Sequence, residues 1–116
     1  MVAATDPTTR DALDELLRDE GYLVRMANDV TQATEWIVRG RIALALVDLE
    51  LRGGGVVPVL SAAASIVPAV PVALLTNLLP LDAGRRATDL GVPAFLNRPL
   101  NLDRVLEVTG GLLHRG

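Results

Sequence analysis

The sequence predicts an α/β fold built on a parallel β-sheet, and three observations carry that prediction. Strand-like and helix-like segments alternate along the whole chain, with no internal repeat, low-complexity tract or linker between them. One segment, Ile42-Ala43-Leu44-Ala45-Leu46-Val47, is an unbroken apolar run, the mark of a strand covered on both faces as parallel sheets require. The polar residues Thr5, Asp48, Thr76 and Asn97-Arg98 fall at the ends of the predicted strands. In open α/β sheets that carboxyl edge is where sites are assembled.

Each element has its own reason. Met1 to Thr5 is short and apolar and reads as a clipped first strand. Asp6-Pro7 reads as a helix N-cap followed by proline at the first helical position: the carboxylate accepts orphaned amide protons and the ring presets φ. Ala12, Leu13, Leu16 and Leu17 form an apolar stripe at helical spacing, and Gly21 is placed to end that helix. A second strand is expected over Tyr22 to Met26. Asn28 or Asp29 can cap a second helix whose Val30, Ala33 and Ile37 share one face, with Gly40 closing it. The run from Ile42 to Val47 is the third strand and ends in Asp48. Gly53-Gly54-Gly55 leads into a third helix near Val57 to Ile66, whose first turn tolerates Pro58. Pro71 to Leu75 is the fourth strand, ending at Thr76, and Pro80 to Leu90 a short fourth helix stopped by Gly91. Ala94 to Leu96 is the fifth strand, and Leu102 to Leu113 the last helix, capped by Asn101.

Composition narrows the function classes. The 116 residues suit one domain, and with half of them hydrophobic a packed core is expected rather than disorder. Only Tyr22, Trp36 and Phe95 are aromatic, so the core must be aliphatic. The net charge is −3 and the largest basic group is Arg85-Arg86, too small a footprint for nucleic acid. All 11 basic residues are arginine, which rules out chemistry that needs a lysine. Cysteine is absent, so there are no thiolate metal sites or thiol nucleophiles, and the lone histidine, His114, sits in the C-terminal tail. With no apolar run of membrane-spanning length and no secretory leader pattern, the expectation is a cytoplasmic protein that does not engage a membrane.

Four collinear segments then resemble one family. Leu46-Val47-Asp48-Leu49-Glu50-Leu51 resembles the third-strand segment of response-regulator receiver domains, in which the Asp accepts a phosphoryl group. Pro71-Val72-Ala73-Leu74-Leu75-Thr76 is similar to the family's fourth strand with its Thr or Ser. Gly91 through Leu100 is similar to the segment that carries an aromatic switch residue, here Phe95, and a Lys-Pro pair, here Arg98-Pro99. Gly21-Tyr22-Leu23-Val24 and Ala27 through Ala33 fit the second β-α unit. The resemblance covers essentially the whole chain. It implies a flavodoxin-like, doubly wound five-stranded parallel sheet in the order 2-1-3-4-5, with helices on both faces and no output domain after the last helix.

The departures from the family pattern are specific to charge. Receivers end the first strand with two adjacent carboxylates that hold Mg²⁺; counting back from Asp6-Pro7 and Arg10, those positions fall on Ala4 and Thr5. Lysine is replaced by Arg98 while Pro99 is kept, and Arg52 stands where a proline is usual. Mg²⁺ wants hard oxygen ligands in a near-octahedral array, so with Asp48 as the sole candidate ligand its binding should be weak. Glu50 could reach the rim, and Asp6 reads as a cap before it reads as a substitute ligand. A guanidinium is always charged and can fork onto a carboxylate through two hydrogen bonds. Arg98 is therefore expected to pair with Asp48 and fill the pocket with no net charge. Thr76 and Phe95 occupy the positions of the family's switch pair, although a capped strand end and a core aromatic explain them equally well. The candidate pocket is completed by Thr5, Asp6, Glu50, Asn97 and Pro99.

Two functions follow from the resemblance. One is an atypical, non-enzymatic signalling module that works by protein–protein contact, with weak or absent phosphorylation of Asp48. The other is a conventional phosphoacceptor, phosphorylated on Asp48 by a histidine kinase. Either needs a protein partner: a histidine kinase, a phosphotransfer protein, an output protein or a second copy of the chain. Leu78-Leu79-Pro80-Leu81, Val56-Val57 and the small-residue run Ser61-Ala62-Ala63-Ala64-Ser65 are the candidate contact segments. A flavodoxin-like nucleotide-binding protein is a remote third reading, since Thr5-Asp6-Pro7-Thr8-Thr9 could face a phosphate at a helix N-terminus. That loop lacks glycine, and the chain has no P-loop and almost no aromatics to hold a flavin.

Overall fold

In a computed structural model, which describes residues 1–114, the chain forms five short strands and five helices in strict alternation. They are β1 (Val2–Ala3), α1 (Pro7–Asp19), β2 (Met26–Ala27), α2 (Val30–Arg39), β3 (Ala45–Asp48), α3 (Val57–Ala64), β4 (Val72–Thr76), α4 (Pro80–Leu90), β5 (Ala94–Asn97) and α5 (Leu102–Leu113). The strands form one sheet in the order β2-β1-β3-β4-β5, and every pairing is parallel. This is the doubly wound order expected from the sequence.

Alternation along the strands explains why both faces are covered. Leu46 and Leu75 point to one side, where they meet Leu13 and Leu17 of α1 and Val105 and Val108 of α5. Val47 and Leu74 point to the other, against Ile37 of α2, Val59 of α3 and Ala87 of α4. Successive residues of a strand face opposite sides, so a run apolar at every position demands helices on both.

The caps follow the residue chemistry. The Asp6 side chain accepts from the Thr8 amide at 3.0 Å, Asp29 from the Gln32 amide at 2.8 Å, and Asn101 from the Arg104 amide at 3.0 Å. Of the two cap candidates for α2, Asp29 takes the role, and Gln32 reaches back to accept from the Asn28 amide at 2.8 Å. That reciprocal arrangement satisfies two otherwise orphaned donors. Gly91 closes α4 in the left-handed conformation, φ 71°.

Several boundaries differ from expectation: β1 is Val2–Ala3 rather than Met1 to Thr5, β4 begins at Val72 rather than Pro71, and β5 runs to Asn97 rather than Leu96. β2 was expected over Tyr22 to Met26 but occupies Met26–Ala27, because its only neighbour, β1, offers two residues to pair with. β3 begins at Ala45 rather than Ile42 because its pairing starts there, opposite Val72, the first residue of β4. α3 stops at Ala64, short of Ile66, ahead of the bend that leads to Pro68. Val56 does not lie on the surface as a contact residue: it is 1% exposed and packs in the core beside Leu51.

Candidate functional site

The carboxyl ends of β1, β3, β4 and β5 bring the predicted polar residues to one edge. Sheet register puts Asp48 beside Leu75, and Thr76 beside Asn97. Just past β5, the Arg98 amide donates to the Thr76 carbonyl at 2.8 Å, which fixes where its side chain starts. From there the guanidinium passes the end of β4 to β3. Arg98 Nη2 donates to Asp48 Oδ2 at 2.7 Å, with both side chains largely buried, at 19% and 15% exposure. The remaining carboxylate oxygen, Oδ1, accepts from the Glu50 amide at 3.0 Å.

The pairing is not the two-pronged fork that arginine can make. Arg98 Nε turns instead to Thr9 Oγ1, at 3.2 Å. Thr9 is buried in the first turn of α1, and its hydroxyl donates to Asp6 Oδ2 at 2.9 Å. That bond, the Thr8 amide and the more distant Arg98 charge hold the Asp6 carboxyl below its ordinary value of 3.8. Asp6 is thus a cap and a member of this chain of bonds, on the exposed side of the edge.

The other candidate positions have local duties. Thr5 Oγ1 accepts from the Arg52 amide at 3.0 Å, tying the end of β1 to the loop after β3. Thr76 is buried and its Oγ1 accepts from the Leu78 amide at 3.0 Å. Asn97 Nδ2 donates to the Leu78 carbonyl at 2.6 Å, so the β4–α4 loop is held from both strands. Glu50 is exposed, and Pro99 is exposed after a cis Arg98–Pro99 bond. Phe95 is half-buried, packed against the α2–α3–α4 side of the sheet and close to Gly84. Asp48, Glu50, Thr76 and Leu78 border a pocket of about 120 Å³.

Two participants escaped sequence reasoning. Thr9 stands three residues after the cap Asp6, a spacing that marks the first helical turn but says nothing about a partner at the far end of the chain. Arg10, used above only to fix the register, donates from Nη1 to the Ala4 carbonyl at 3.0 Å and lies 3.5 Å from that of Thr5. Two guanidinium groups therefore serve an edge on which the resemblance places metal carboxylates.

These donors do not fit Mg²⁺. Asp48 has one oxygen on a guanidinium and the other on an amide, Ala4 offers no side-chain ligand, and the Thr5 hydroxyl is engaged by the Arg52 amide. Among the described residues no three His, Cys, Asp or Glu side chains gather where an ion could sit. Mg²⁺ prefers a near-octahedral oxygen shell with one or two carboxylates free to bind it. The described helices include none long and apolar enough to cross a membrane.

Comparison with known proteins points one way. The profile of the response regulator receiver domain matches residues 1–109. The chain is 27% identical over 113 residues to the response regulator protein PilR of Pseudomonas aeruginosa, covering 97% of this chain and 25% of that protein. It is 26% identical over 111 residues to the nitrogen assimilation regulatory protein NtrX of Azorhizobium caulinodans, covering 94% and 24% respectively. The chain thus spans about a quarter of the length of these relatives. Among solved structures, a putative response regulator from Chloroflexus aurantiacus superposes with a TM-score of 0.89 at 21% identity, over 98% of this chain and 95% of that one. The receiver domain of NtrX from Brucella abortus gives 0.86 at 24% identity, over 99% and 98%.

Proposed function

The chain belongs to the response-regulator receiver family of two-component signalling, and we propose that it is an atypical member that signals through protein–protein contact, with phosphorylation of Asp48 weak or absent. The observation that carries this reading is the Arg98 guanidinium seated 2.7 Å from Asp48 Oδ2, in a site without the family's metal carboxylates. Phosphoryl transfer to a carboxylate brings two anions together, and its catalysis consists almost wholly of positioning and charge stabilisation. Here the one cation in contact with Asp48 is already neutralised by it, and both carboxylate oxygens are engaged as acceptors. A donor phosphate must therefore displace an ion pair before it can be attacked.

The partner in this reading is a protein: a histidine kinase, a phosphotransfer protein, an output protein or a second copy of the chain. Leu79 and Leu81, 73% and 68% exposed, and Val57, 55% exposed, offer apolar contact area outside the core. The protein acts in the cytoplasm and as a binding module, not an enzyme, and needs neither nucleic acid nor a membrane.

The test is direct. Incubated with acetyl phosphate and millimolar Mg²⁺, the chain should show little or no phosphoryl adduct by intact mass. A near-stoichiometric adduct that disappears in Asp48→Asn would overturn the reading in favour of a conventional phosphoacceptor.

A further inference from the structure

Thr9 has a single hydroxyl proton, and the structure shows where it goes. Oγ1 lies 2.9 Å from Asp6 Oδ2, an acceptor that carries no proton of its own when ionised, so the hydroxyl donates there. Its lone pairs are left to accept, and Arg98 Nε donates to them at 3.2 Å. The direction of both bonds is therefore fixed. Asp48, Arg98, Thr9 and Asp6 form one line in which a cation lies between two carboxylates, running from the end of β3 to the N-terminus of α1.

This line constrains the guanidinium in a way that the backbone does not. The start of the Arg98 side chain is set by its amide bond to the Thr76 carbonyl. The far end still has torsional freedom, and two arrangements would satisfy it without Thr9: a side-on fork of Nε and Nη2 onto Asp48, or a swing outward to water. Engaging Nε at Thr9 removes both. Nη2 is left as the one guanidinium nitrogen that meets Asp48, and it meets a single oxygen.

From this geometry we propose that Thr9 is a positioning residue for Asp48: its hydroxyl aims Arg98 and makes the shielding of the phosphoacceptor-position carboxylate depend on the first turn of α1. The proposal rests on the reading that Arg98 shields Asp48, and goes beyond it by naming what holds Arg98 there. Thr9 touches no reacting atom; it acts through the arginine. Its burial, 6% exposed, keeps water from competing for Nε.

The experiment compares the whole chain with Thr9→Val, Thr9→Ala, Thr9→Ser and Arg98→Ala. The first readout is the rate at which a water-soluble carbodiimide couples Asp48 to glycine ethyl ester, followed by peptide mass. The second is solvent exchange of the Arg98 Nε–H in ¹H–¹⁵N spectra, which a purely structural role for Thr9 would not move. Valine and alanine remove the hydroxyl at two different volumes, so that a packing fault in one leaves the other informative. Both should couple at Asp48 roughly ten-fold or more faster than wild type, the scale of one lost hydrogen bond to a charged group, and both should lose Nε–H protection. Thr9→Ser, which restores the hydroxyl, should return both readouts to wild type. Wild-type coupling and exchange in Thr9→Val and Thr9→Ala, alongside fast coupling in Arg98→Ala, would overturn the role of Thr9 and leave the Arg98 shield standing. Wild-type coupling in Arg98→Ala would remove the shield itself, and the proposal with it.

Discussion

Between Asp48 and Arg98, the residues on which the site turns, geometry favours an intact pair and penalises a broken one. Both side chains are more than four-fifths buried, so removing either leaves a charge with little water to replace its partner. Arg98→Ala should destabilise the chain by about 2 kcal/mol in urea unfolding, the typical worth of a hydrogen bond between charged groups in such a place. Arg98→Lys should recover only part of that loss. An ammonium is a point charge on a flexible stem and cannot hold a fixed angle between Thr9 and Asp48 as a planar guanidinium does. Asp6 supplies the pH dependence. Its carboxyl titrates below the ordinary 3.8 in the folded chain, so the stability it adds is fully present above 3.8 and is lost as pH falls through the lowered folded value. The melting-temperature gap between wild type and Asp6→Asn should therefore be widest near neutrality and close in acid. A gap unchanged between pH 7 and pH 2 would contradict this assignment. The sequence led to Asp48 and Arg98 because each stands at a strand end on one edge of a parallel sheet, and because the resemblance sets Arg98 at the position of a lysine that faces the phosphoacceptor. It did not lead to Thr9, because a threonine in a first helical turn has the same local pattern whether or not a guanidinium arrives from 89 residues away.

Secondary-structure elements show where local signals suffice and where they fail. α4 begins and ends at the expected residues because Pro80 and Gly91 mark its two ends, and α5 begins at the expected residue because Asn101 caps it. β2 carries no such mark: its extent is set by how much of β1 lies alongside, a tertiary fact invisible in Tyr22 to Met26 themselves. Two glycines separate conformational need from open space. Gly55 has φ +75°, and a Cβ there would lie 3.1 Å from the Leu49 carbonyl oxygen, so Gly55→Ala combines a left-handed backbone with a close contact. It should cost at least the ~1–2 kcal/mol of the backbone term alone. Gly84, inside α4, is the opposite case. A Cβ there would sit 3.7 Å from Phe95 Cε1, ordinary contact distance, and the helix needs no glycine. Gly84→Ala should stabilise the chain by about 0.5–1 kcal/mol in thermal or urea unfolding. The added methyl would also brace the Phe95 ring.

At the scale of the whole molecule, the sheet divides the interior into two independent cores, and their quality differs by one atom. On the α2–α3–α4 side the buried polar side chain that alternation places beside Val72 and Leu74, Thr76, has its hydroxyl satisfied by the Leu78 amide. On the α1–α5 side, Thr109 is 2% exposed, and its Oγ1 is the one buried side-chain polar atom among the described residues without a hydrogen-bond partner. It sits on α5 next to Val108, facing the region lined by Leu17, Leu44 and Leu46. A hydroxyl stripped of water and given nothing in return costs ~1–3 kcal/mol, whereas an isosteric apolar group at the same place incurs no such penalty. Valine replaces that hydroxyl with a methyl of nearly the same volume, and mid-helix threonine and valine have similar helix propensity. Thr109→Val should thus raise the urea midpoint at unchanged m-value, by the equivalent of about 1 kcal/mol. The site edge lies at the opposite ends of the strands, so this gain should leave Asp48 coupling and Arg98 Nε–H exchange at their wild-type rates. A change in either would mean that the α1–α5 core and the Asp6–Thr9–Arg98–Asp48 line communicate through α1, the helix they share.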